Sequence, residues 1–141
     1  MATFNKVNSL TYEIGRGRHD FSSHTFKVAL TNTAPVVGNT VLADITQVAA
    51  TGGYVSGGYL LDGVAWSEAS GVSKLVITDE VITAVGGSVG PFRYAVIYND
   101  STTSPVDALI GWYDYGSSIT LADGETLTLD FDATNGVLTL T

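Results

Sequence analysis

The stretch T126-LTLDFDATNGVLTLT-141 decides the fold. In TLTLDFD, Leu127, Leu129 and Phe131 fall on one side of an extended chain. Thr126, Thr128, Asp130 and Asp132 fall on the other. VLTLT repeats the alternation with Leu138 and Leu140, and the Asn135-Gly136 pair between the two runs predicts a hairpin. Period two, β-branched residues and turn dipeptides are the marks of a half-buried sheet.

Working outward, the same texture fills everything after Asp20. Strands are predicted near 26–32, 40–43, 58–65, 73–78, 80–85, 92–98, 108–115, 117–121, 125–131 and 136–140, separated by Gly, Asn, Asp and Pro clusters. RYAVIY (93–98) is almost wholly apolar, as a central strand covered on both faces would be. Short strands at this spacing predict an all-β domain, a single β-sandwich or jelly-roll-like barrel. The one helix expected covers residues 4–15. There Phe4, Val7, Leu10 and Ile14 recur at spacings of three and four, Thr3 caps the start, and Gly15 and Gly17 stop it. The expected organisation is a helical attachment segment over 1–20 and a β-sandwich over 21–141.

Composition narrows the function. The chain has 141 residues, 14 acidic and 6 basic, for a net charge of −8, and no cysteine. Cysteine absence removes disulfide scaffolds, zinc-thiolate sites and thiol catalysis. The acidic balance opposes nucleic-acid binding, which neutralises phosphates with Lys and Arg. Residues 1–27 carry Lys6, Arg16, Arg18 and Lys27 against Glu13 and Asp20, a net +2, so the remainder carries −10. No apolar run approaches membrane-spanning length and no signal peptide is evident, so a soluble product is expected.

Few residues suggest chemistry. His19 and His24 in HDFSSH neither define a metal geometry nor accompany a nucleophile elbow, and a solvated turn is expected there. DFDATNG (130–136) fails as a calcium loop. Its glycine falls one place late and position twelve is Thr141 rather than Glu. GGSVGP (86–91) lacks the lysine and helix of a phosphate loop, and Asn99-Asp100-Ser101 reads as a turn. No catalytic constellation, metal site or cofactor is expected. The aromatic cluster Trp112, Tyr113 and Tyr115 in GWYDYG is different. Alternation sets Trp112 with Asp114 on one face and the two tyrosines on the other, and one face could offer an exposed aromatic surface to a glycan or protein.

GPFRYAVIYND (90–100) and the long string from Leu109 to Thr141 resemble a group of small bacteriophage virion proteins. FNKVNSL (4–10), HDFSSHTFKVALTNTAPV (19–36) and GGYVSGGYLL (52–61) agree with that resemblance, which covers nearly the whole chain. It implies a non-enzymatic structural protein. The expected role is a decoration (cement) protein on the outer capsid surface, made in the host cytoplasm. Its partners would be the major capsid protein and sister subunits, as a homotrimer. The resemblance carries no residue-level motif. The apolar face of residues 4–14 is expected to dock on the chain's own sheet, a sister subunit or the shell, its own core first. Phe4, Val7, Leu10, Ile14, Arg16 and Arg18 are the candidate capsid or subunit contact. A tail, baseplate or fibre subunit and a glycan-binding β-sandwich are the alternatives.

Overall fold

The computed structural model describes residues 2–141, which form ten strands and one α-helix. In chain order these are β1 Thr3–Lys6, α1 Ser9–Gly15, β2 Phe26–Thr31, β3 Tyr59–Leu60, β4 Ala65–Ala69 and β5 Val72–Val76. β6 Glu80–Thr83, β7 Val89–Thr103, β8 Val106–Leu121, β9 Thr126–Leu129 and β10 Leu138–Leu140 follow. The main sheet runs β1-β8-β7-β2-β3, a second runs β10-β5-β4, and β6 pairs with β9 in a third. Every pairing is antiparallel. The all-β, sandwich-like domain with one short N-terminal helix is therefore as the sequence predicts.

The β7–β8 hairpin organises the chain. Tyr94 to Asn99 of β7 are buried at every position, because β8 and β2 flank the strand and side chains from the rest of the chain cover its faces. One core holds all three sheets together: Phe26, Leu30 and Phe92 from the first, Leu75 from the second, Ile82 and Leu129 from the third. Each such side chain contributes about 1.5–3 kcal/mol by leaving water.

Four expectations are corrected. The helix begins at Ser9, not Phe4, and Asn8 rather than Thr3 precedes it. Residues 3–6 instead pair with β8, Phe4 opposite Tyr113, and Val7 extends the ladder through its N–H to the Ile110 carbonyl. The outer edge of β8 offers backbone partners that an isolated first helical turn lacks. Residues 2–20 thus share one sheet and one core with the remainder.

The hairpin expected at Asn135-Gly136 does not form. β9 pairs with β6 and β10 with β5. Asp132 turns the chain at φ 50°, and its carboxylate accepts the Asn135 N–H and Nδ2–H at 3.1 and 2.7 Å. This turn passes the chain from the third sheet to the second while Phe131 enters the core.

The strand expected at 40–43 is a single bridge from Val41 to Ala108, followed by a 3-10 turn over Leu42–Asp44. The Asp44 carboxylate organises it by accepting the N–H groups of Thr40 and Val41. The runs 108–115 and 117–121 are one strand, β8. A register shift there sets Arg93 against residues 115–118, with Gly116 at φ 83°.

Candidate functional site

The N-terminal segment carries the first candidate surface. Val7 and Leu10 are fully buried, and Phe4 and Ile14 pack against the same core. The amphipathic face is therefore spent inside the chain, the first of the places expected for it, and not left for a capsid. Burying it against the chain's own sheet is the nearest way to remove that apolar area from water.

What α1 leaves outside is different. Tyr12 is 62% exposed, with the Arg16 guanidinium 5.2 Å above its ring. Arg16 also reaches Glu13 at 3.4 Å. Asn8 lies one turn before Tyr12 on the same side, and its N–H bonds the Val37 carbonyl at 2.8 Å. That bond brings in Val36 and Val37, both at least half exposed. Tyr12 beneath Arg16, and Val36 and Val37 beside Asn8, leave three large apolar side chains exposed around the start of α1.

Of the candidate aromatic surface Trp112, Tyr113 and Tyr115, two residues belong to the core, as most such clusters do. Trp112 and Tyr113 are buried, 8% and 5% exposed, because β8 lies between β1 and β7 with both faces covered. Tyr113 packs on Phe4 and Phe131 at 5.3 and 5.7 Å between ring centres. Burial, then Tyr115 and the carboxylates of Asp130, Asp132 and Asp79, hold its phenol above the usual range. Tyr115 is half-buried, its hydroxyl without a partner among the described residues. Burial first, then Asp130 and Asp79, push it up to about 12. With Ala2, Thr128 and Asp130 it lines a shallow cleft of about 310 Å³. Asp114 turns to Arg93, accepting Nε–H and Nη2–H at 2.8 and 3.2 Å, and also takes the Gly116 N–H. That pairing holds the Asp114 carboxyl below the usual range.

The turn expected around the histidines forms over residues 20–24, and its rings, rather than being solvated, clamp β7. The Ser101 N–H donates to Asn99 Oδ1 at 2.9 Å, which fixes the amide orientation. Asn99 Nδ2 therefore faces Nδ1 of His19 at 3.1 Å and Nδ1 of His24 at 2.9 Å. The Asp20 N–H points at the same His24 Nδ1. Both Nδ1 atoms accept, so each neutral ring carries its proton on Nε2. His19 is buried and stacked on Phe21. Desolvation, then His24, lowers its pKa to about 4. No serine–histidine relay results, because Ser23 Oγ–H donates to Asp20 at 2.7 Å.

No family model matches the chain, and neither does any curated protein or solved structure. Among the described residues, no three His, Asp or Glu side chains gather to hold a metal ion, and no helix is long and apolar enough to cross a membrane. The residue that sequence reading missed is Asn99. Its signal was an amide closing the apolar run RYAVIYN, where a polar side chain needs buried partners.

Proposed function

We propose that this chain is a non-enzymatic structural protein of a bacteriophage virion, attached to the outer capsid surface as a decoration protein. Its partners are the major capsid protein and sister subunits in a trimer. One observation carries the attachment side: Tyr12 is exposed beneath Arg16 in the part of the chain where basic groups outnumber acidic ones, and the Asn8 N–H ties the exposed Val36–Val37 turn to that segment. Apolar surface rimmed by charge is the composition of a protein-docking patch. The resemblance of residues 90–100 and 109–141 to virion proteins supports the virion context. The glycan alternative has lost two of its three aromatic residues to the interior.

Adding the purified chain to undecorated heads and to isolated tails tests this reading. Saturable co-sedimentation with heads is expected, weakened in a Tyr12→Asp/Val37→Asp variant whose circular dichroism is unchanged. Binding to tails alone would move the protein to the other end of the particle. Binding to neither would end the virion reading.

A further inference from the structure

A cleft of about 230 Å³ opens between the chain just after α1 and the tip of the β7–β8 hairpin. Arg18 and His24 contribute from one element, Ser101, Thr103 and Ser104 from the other. No carboxylate lines it, although acidic residues outnumber basic ones 14 to 6 in this chain.

The partners already made leave this wall with donors to spare. Arg18 takes part in no ion pair among the described residues, and its Nε is buried without an acceptor. Glu13, the carboxylate on the preceding helix, meets Arg16 through Oε1 at 3.4 Å, and its Oε2 is buried without a partner among the described residues, outside the cleft lining. His24 Nδ1 is occupied by Asn99 and Asp20, so its Nε2–H is the free end of the ring. Ser101 Oγ accepts the Thr25 N–H at 2.8 Å and keeps its own proton. Thr102 is spent on β-strand geometry, donating to the Asn99 carbonyl and accepting the Ala108 N–H. Two nearby acids are already engaged: Asp100 by Lys27 at 3.3 Å, Asp20 by Ser22 and Ser23.

A concave wall of unspent donors around a guanidinium calls for a negatively charged acceptor. A carboxylate has two oxygens, and the guanidinium fork would use both. A tetrahedral oxyanion leaves further oxygens for the imidazole and the hydroxyls on the opposite wall.

We propose that this cleft binds a tetrahedral oxyanion, phosphate or sulfate, either free or as the monoester of a small molecule. Arg18 grips two oxygens, and His24 Nε2–H with the hydroxyls of Ser101, Thr103 and Ser104 takes the others. The site is independent of the exposed apolar residues Tyr12, Val36 and Val37.

The test titrates the full chain at neutral pH with inorganic phosphate, sulfate, a hexose 6-phosphate and chloride at constant ionic strength, following backbone amide resonances. Saturable shifts at residues 17, 18 and 101–104 are expected with the oxyanions and not with chloride. Arg18→Gln should weaken binding about tenfold, and Ser104→Ala, at an exposed turn, about threefold. Arg16→Gln should leave it unchanged. Tighter binding of the hexose phosphate assigns the ester as the ligand, and equal binding assigns the free ion. Shifts that chloride reproduces, or an Arg16→Gln loss as large as that of Arg18→Gln, overturn the proposal.

Discussion

Asn99 Nδ2 lies 3.1 Å from Nδ1 of His19, eighty residues away in the chain, and the contact exists only while His19 is neutral. A protonated imidazole carries hydrogen on both nitrogens and would face the amide N–H donor to donor. The ordinary pKa of 6.5 applies in the unfolded chain, and the folded value is about 4. Between these values the unfolded state binds more protons, so stability falls as pH drops through that window and is complete above it. Urea unfolding should show a loss of about 2 kcal/mol between neutral pH and pH 4, after allowance for solvent screening. His19→Gln should flatten that slope. An unchanged slope would mean that other groups carry it.

Leu10 makes the N-terminal segment structural whatever it binds. Its side chain is 1% exposed and Val7 beside it is fully buried. Leu10→Ala should cost about 2–5 kcal/mol. Deleting residues 2–18 also strips β1 from the edge of β8, so the remaining chain should lose its cooperative thermal transition. A truncated chain that melts like the full one would show that the segment only rests on the surface.

Gly111 and Phe4 meet where β1 crosses β8. A Cβ built on Gly111 would lie 2.6 Å from Phe4 Cζ, and it would also press on the Asn5 carbonyl. Gly111→Ala should destabilise by about 1–3 kcal/mol. Adding Phe4→Ala should recover part of that loss, a non-additivity that a double-mutant cycle in urea reads directly. Full additivity would mean that the clash lies with the backbone oxygen alone.

These contacts also mark what sequence could and could not reveal. RYAVIY and TLTLDF gave away the central strand and the β class, because burial of a strand writes itself into local alternation or its absence. The spacing of Phe4, Val7, Leu10 and Ile14 was ambiguous. Val7, Leu10 and Ile14 carry the helical repeat by themselves, so nothing local says whether Phe4 belongs to the helix or to a preceding strand. Alternation separates the faces of Trp112 and Tyr113 but is silent on whether each face is covered. That depends on β1 and on Phe131, neither of which is near them in sequence. Asn99 left one trace, an amide closing an apolar run, but its partners could not be named, since they lie in a stretch that reads as polar loop.

Tyr54 supplies a backbone partner where the sheet runs out of strands. β3 covers only Lys27 and Val28 of β2, so the outward N–H of Leu30 has no strand to meet. It donates instead to the Tyr54 hydroxyl at 3.1 Å, and that hydroxyl donates to Gln47 Oε1 at 2.7 Å. The Gly57 N–H also donates to Gln47 Oε1. Burial first pushes the Tyr54 phenol up to about 12, so it remains a donor across the physiological range. Tyr54→Phe keeps the ring packed beside Tyr59 but leaves the buried Leu30 N–H without an acceptor, which should cost about 1–3 kcal/mol. Hydrogen exchange offers the sharper reading, because Leu30 should lose protection well beyond the change in global stability. If Leu30 exchanges no faster than its neighbours in the variant, water has replaced the hydroxyl and the edge needs no tyrosine.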